Sequence, residues 1–210
     1  IYIYSISAHN TTLSLSLFLI LFFSLFQLVE TYIPYQEVGD MLARLEKREP
    51  LTRIALRNAF ADHNTIPVLL SSQRHNVLLK ELHLSYSGLQ ALPPSIDLLV
   101  SLQELRIDHN ALTDIPSTIG SLTNLRVLLA NNNRITAFPA QIHLLTTLEV
   151  LVLSHNRITE VPSFVTSLRK LKSLSVTHNP IEGIPKEFLV RGDGHLLNYL
   201  KGLMEGKEAE

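Results

Sequence analysis

The side chains best placed to do chemistry in this sequence are imidazoles, nine of them in a chain with no cysteine. Three of these, His109, His155 and His178, stand directly before an asparagine in near-identical surroundings. Imidazoles at equivalent positions of neighbouring strands would lie about 5 Å apart, a separation that two ligands of one metal tolerate. Asn132 and Tyr86 fill the same position elsewhere. That variety marks a solvated turn position, and no metal site is expected there. Arg191, Gly192 and Asp193 spell an integrin-type tripeptide, but they fall in a turn ahead of an apolar helical stretch, and chance accounts for them. Catalysis needs a nucleophile, a base and an orienting group gathered in a cleft, and no such constellation can be found. Neither G-x-x-x-x-G-K-[ST] nor G-x-G-x-x-G occurs, so no nucleotide cradle is present. No enzyme activity and no cofactor are expected.

Composition narrows the classes further. The chain is 46% hydrophobic and 18% charged, which is globular and too apolar for a disordered chain. A formal net charge of −1 argues against a nucleic-acid binder, whose basic face must neutralise several phosphates. Residues 1–29 contain no Asp, Glu, Lys or Arg, so all 18 basic and 19 acidic residues come later. Leu13 to Val29 is an uncharged run of Leu, Ser and Phe at the short end of what spans a bilayer. It reads as a membrane anchor or signal, or as untranslated leader: Ile1, Tyr2, Ile3, Tyr4 is what an alternating A/T tract encodes. No Lys or Arg precedes the run, and Gln27 to Glu30 do not resemble a small-residue cleavage site. The sequon at Asn10 lies inside this segment, and the first Met is Met41.

The remainder is governed by a period of 23. Prolines recur at Pro93, Pro116, Pro139, Pro162 and Pro185, and asparagines keep the same step at Asn110, Asn133, Asn156 and Asn179. Aligned on these, units beginning at Leu79, Leu102, Leu125, Leu148 and Leu171 read close to L-x-x-L-x-L-x-x-N-x-[LI]-x-x-[LIFV]-P-x-x-[IVF]-x-x-L-x-x. A fixed period of this length is the signature of a stacked repeat array. This pattern resembles the leucine-rich repeats, and its L-P-x-x-I-x-x-L second half is similar to the intracellular Ras-group type.

Elementary geometry points the same way. Alternation such as Leu151 and Leu153 gives a short strand with one buried face. The asparagine amide, with two donors and an acceptor, can satisfy turn backbone groups between neighbours, a structural ladder of Asn110, Asn133, Asn156 and Asn179. Ser87 stands where the first unit should have its asparagine. After the proline, Ile96, Ile119, Ile142, Val165 and Phe188 can fill the far side of each unit. The expected fold is α/β: a curved, right-handed leucine-rich repeat solenoid with a parallel β-sheet on its concave face and helical caps.

The expected organisation is an apolar low-complexity segment (1–30), an N-terminal capping helix region (31–50), an irregular first repeat (51–78), five 23-residue repeats (79–193), and a C-terminal capping helix and tail (194–210). Val38, Met41, Leu42 and Leu45 have helical spacing, as do Leu196, Leu197, Leu200, Leu203 and Met204. Leu51, Ile54 and Leu56 repeat the strand signature.

Outward positions of the sheet follow from the register. The third gives Glu81, Glu104, Val127, Val150 and Ser173, and the fifth His83, Arg106, Leu129, Val152 and Ser175. The seventh gives Ser85, Asp108, Asn131, Ser154 and Thr177, followed by Tyr86, His109, His155 and His178 in the turn. The centre, Val127, Leu129, Val150 and Val152, is apolar, with charges on one flank and hydroxyls on the other. An apolar middle with a polar rim is how protein-binding patches are organised, and Tyr86 and Arg106 are the residue types that anchor them. The expectation is a monomeric, non-catalytic scaffold that binds a partner protein through Glu81, His83, Tyr86, Glu104, Arg106, Asp108, His109, Val127, Leu129, Asn131, Val150, Val152, His155, Ser175 and His178. Absence of cysteine fits a reducing, cytoplasmic compartment. The resemblance to Ras-group repeats implies a small GTPase, a kinase or a phosphatase subunit as partner. Two alternatives stay open: a membrane-tethered or secreted recognition ectodomain, if the segment 13–29 is an anchor or signal, and a fragment of a larger multidomain enzyme.

Overall fold

The computed structural model describes residues 52–55, 79–190 and 193–207. The segment 1–30, the capping region 31–50, most of the irregular repeat 51–78 and the tripeptide residues Arg191 and Gly192 lie outside the described residues. Among the described residues, each repeat forms a strand of three residues with its central aliphatic side chain buried. These are β1 (Arg53–Ala55), β2 (Glu81–His83), β3 (Glu104–Arg106), β4 (Val127–Leu129), β5 (Val150–Val152) and β6 (Ser173–Ser175). They form one parallel sheet in sequence order. Its register brings Ile54, Leu82, Leu105, Leu128, Leu151 and Leu174 into a single buried row. The fold is a leucine-rich repeat solenoid.

Each unit returns to the sheet through a short helical turn opened by its proline. Pro93, Pro116, Pro139 and Pro162 hold φ between −58° and −70° and precede five-residue 3-10 helices, Pro94–Leu98, Ser117–Ser121, Ala140–Leu144 and Ser163–Ser167. A proline is suited to this place because its ring pre-sets φ and no hydrogen-bond donor is lost. Ile96, Ile119, Ile142 and Val165 point inward from these turns and are fully buried. Helical turns are wider than the ~4.8 Å between strands, so the stack bends with the sheet on its inner side. The turns still crowd one another. A Cβ on Gly120 would come 2.8 Å from the Gln141 Cβ, closer than carbon atoms approach, so the second turn keeps a glycine where the third packs on it.

The fifth unit departs from the others. Pro185 is followed by an α-helix, α1 (Lys186–Val190), and then by α2 (Asp193–Lys207). Helix α2 packs against β6 and inserts Leu196, Leu197 and Leu200 into the core. Phe188 and Tyr199 stack with ring centroids 4.2 Å apart, joining the two helices. The exposed backbone edge and apolar end of the last repeat are thus covered. Among the described residues no helix is long and apolar enough to cross a membrane.

Candidate functional site

The inner face of the sheet is built on the turn that follows each strand. Tyr86, His109, Asn132, His155 and His178 all adopt left-handed backbone, with φ between 54° and 59°. For an L-residue this conformation costs roughly 1–2 kcal/mol, and the next residue shows what offsets it. Asn156 Nδ2 donates to the carbonyls of Ala130 (3.0 Å) and Leu153 (2.9 Å), while its Oδ1 accepts the N–H of Ile135 (3.0 Å). Asn133 does the same with Ile107, Ala130 and Leu112, and Asn179 with Leu153, Val176 and Ile158. Each amide therefore ties its own turn to the preceding repeat. At the first turn Ser87 is buried, and its N–H donates to Asn110 Oδ1 at 2.9 Å, so Asn110 serves both sides of the step.

The left-handed turns raise a ridge of rings beside the sheet. Tyr86 and His109 stack at 4.1 Å and 10°, and His155 and His178 at 4.0 Å and 8°. Asn132 sits between the two stacks, with its Nδ2 3.3 Å from His109 Nε2. Rings that face each other this way direct their in-plane nitrogen lone pairs along parallel lines and do not converge on a shared ion. Among the described residues no group of three or more His, Cys, Asp or Glu could hold a metal.

The apolar centre is a square. Val127 pairs with Val150 and Leu129 with Val152 across β4 and β5, and all four side chains are half-buried. On the β2–β3 side lies a charged network. Glu104 Oε1 accepts from His83 Nε2 at 3.1 Å and also from Arg106 Nε. His83 Nδ1 is 3.5 Å from Arg53 Nη2, and Arg53 Nε is 3.3 Å from Glu81 Oε2. A carboxylate can only accept and a guanidinium can only donate. Their joint demand selects the neutral His83 tautomer protonated on Nε2.

The environment favours the same state. Burial, with the charges of Arg106 and Arg53, lowers the His83 pKa below 6.5 against the opposing pull of Glu104. For Glu104, burial alone would raise the pKa, but the hydrogen bond and charge of Arg106 and the contact with His83 bring it below 4.5. On the β6 side the groups are small and neutral: Ser154 and Ser175 hydroxyls are 2.7 Å apart.

Three outward positions are less accessible than their alternation suggests. His83 is only 6% exposed, and Ser85 and Ser154 are buried too. His83 lies beneath its longer neighbours and acts on the face by bracing Glu104, while the serines are short enough to sink into the sheet. Tyr86, at 48%, is the most exposed large hydrophobic side chain among the described residues. Glu81, Glu104, Arg106, Asp108, His109, Asn131 and Ser175 are half-buried, and His155 and His178 are exposed.

A second charged group escaped the sequence reading. Glu149 is held by Arg126 (Nη2–Oε1 2.6 Å) and Lys172 (Nζ–Oε2 2.6 Å) just ahead of the strands. The hydrogen bonds from Lys172 and Arg126 bring its pKa to about 2. The signal was available, because these residues occupy the second position of consecutive units. Leu98, Val100 and Leu144 form exposed apolar spots near the 3-10 turns, on the opposite side of the molecule.

Comparison with known proteins agrees with this architecture. A family model described as a leucine-rich repeat region matches residues 68–174. No curated protein matches the chain. Among solved structures, a leucine-rich repeat protein of Leptospira interrogans is similar at 30% identity and a TM-score of 0.53 over 66% of this chain. An internalin of Listeria monocytogenes is similar at 24% identity and a TM-score of 0.50 over 61%. The chain spans 38% of the length of the first and 36% of the second.

Proposed function

The chain belongs to the leucine-rich repeat proteins, and from that premise we propose that it is a non-catalytic scaffold that binds a partner protein on the inner face of its sheet. The observation that carries this reading is the square of Val127, Leu129, Val150 and Val152, half-buried side chains set side by side on an open sheet. Aliphatic residues in register with a charged flank and a hydroxyl flank reproduce the apolar core and polar rim of protein interfaces. Exposed Tyr86 and half-buried Arg106, at the charged end, supply the side-chain types that concentrate binding energy. The repeat family generally binds proteins and not small substrates. Its resemblance to intracellular repeats makes signalling through a small GTPase, a kinase or a phosphatase subunit the proposed context. The proposed form is a cytoplasmic monomer, in keeping with a sequence that lacks cysteine. The uncharged run Leu13 to Val29 favours a second reading, a tethered or secreted recognition module.

The test is chemical cross-linking in the source cells, with capture of the native chain compared with Leu129→Glu/Val152→Glu. Both changes lie on half-exposed positions, so the melting temperature should move little while the cross-linked partner is lost. Retention of every partner by the folded double variant overturns the proposal.

A further inference from the structure

We propose that the occupant of this face is anchored by an arginine, held by the carboxylate of Asp108 and the side-chain amide of Asn131, with aliphatic residues beside that arginine covering Val127, Leu129, Val150 and Val152. The inference rests on the reading of the face given above and adds the chemistry of what binds there.

The charges of the face decide the sign. Glu81 is paired with Arg53, and Glu104 with both His83 and Arg106. Asp108 receives only the Ser85 hydroxyl, at 2.7 Å, and among the described residues no cationic side chain pairs with it. Arg53 and Arg106 thus stand against Glu81, Glu104 and Asp108, with His83 neutral. Among the described residues, the one uncompensated charge of the outward positions is negative and sits on Asp108. A partially buried carboxylate beside an apolar patch is complementary to a cation that arrives with apolar neighbours.

The geometry selects arginine over lysine. Asn131 occupies the position of Asp108 one repeat later, and the His109 N–H to Asn131 carbonyl bond of 2.9 Å clips the two turns together. Their side chains therefore rise from neighbouring strand ends about 4.8 Å apart, both half-buried. Asn131 makes no side-chain hydrogen bond within the described chain. Two acceptor oxygens at that spacing suit a planar guanidinium with five donors, whereas an ammonium is a point charge. Arg106 pairs with Leu129, so Asp108 stands two residues along and one strand across from the apolar square, a diagonal of about 8 Å. That is near the reach from one residue to the next but one in an extended segment, which puts the arginine and the aliphatic residues close together in the partner's sequence.

Selection of a random displayed-peptide library on the full chain tests this, with three baits in parallel: the native chain, Asp108→Asn, and Leu129→Glu/Val152→Glu. The expected result is enrichment, on the native chain, of peptides with an arginine within three residues of two aliphatic side chains. Asp108→Asn should weaken those peptides about tenfold or more, with an unchanged melting temperature because asparagine still offers an oxygen to Ser85. The double variant should enrich none of them. Exchanging the peptide arginine for glutamate should abolish binding to the native chain and restore it to Asp108→Arg. Aliphatic peptides without arginine would overturn this inference and leave the sheet-face reading standing. Peptides bound equally well by the double variant would overturn both. No enrichment on the native chain would overturn this inference, with the cross-linking comparison then deciding the broader reading alone.

Discussion

Strands β3 and β4 lie side by side in one register, with the same leucine buried at their centres, Leu105 and Leu128, yet they show solvent opposite chemistry. The first presents Glu104 and Arg106, the second Val127 and Leu129. Inward positions answer to the stack above and below, which permits one shape and one polarity. Outward positions answer only to one another across the face, as in the Glu104, His83 and Arg106 network, and so tolerate either chemistry. On the proposed reading, their variation from strand to strand carries the information about what the face meets.

The strongest way to break this comparison is to place the same charge on either side of β4. Leu128→Asp buries a carboxylate at a site that is 0% exposed and should cost more than about 4 kcal/mol, enough to abolish cooperative melting. Leu129→Asp, one residue on, should cost less than about 1 kcal/mol. Equal losses in thermal melts would mean that inside and outside have been exchanged.

A smaller contrast separates two asparagines in neighbouring turns of the stack. Asn156→Ala removes two cross-repeat bonds and one within its own turn from a buried site and should lower stability in urea by about 1–3 kcal/mol. Asn131→Ala, on the outer face, should stay within about 0.5 kcal/mol.

The smallest effect distinguishes the charged half of the face by its response to acid. The folded pKa of His83 lies below 6.5, so below pH 6.5 the unfolded chain binds the extra proton, and stability falls as pH drops from there through the folded value. Glu104 adds in the same direction: its contribution is present above 4.5 and is lost as pH falls through its lowered folded value. His83→Gln should flatten the slope just below pH 6.5, measured as melting temperature against pH, and an unchanged slope would remove His83 from the network.

Much of the fold was legible because a period of 23 repeats the same burial decision several times over. The burial of Leu128, Leu151 and Leu153 follows from alternation alone, as does the identity of the square's four members. What alternation cannot tell is depth. It places His83 outward, but not that Arg53, Glu104 and Arg106 are long enough to close over it. It marks His109, His155 and His178 as turn residues, but the left-handed backbone that sets their rings in stacks is dictated by the following asparagine reaching back to the previous repeat. The helical last unit was equally hidden, since Pro185 opens it as the other prolines open theirs.

The asparagine rungs have a consequence for the lengths this protein can take. Every rung spans one unit and joins atoms whose sequence separation repeats unchanged along the array. Deleting or duplicating a block of 23 residues therefore leaves every surviving rung its partners, whereas a change of 22 or 24 within a strand leaves a buried amide out of step. Size in this molecule is quantised. A lineage could lengthen or shorten the face one strip at a time, adding or discarding whole columns of contacts for a partner while the interior stays in register.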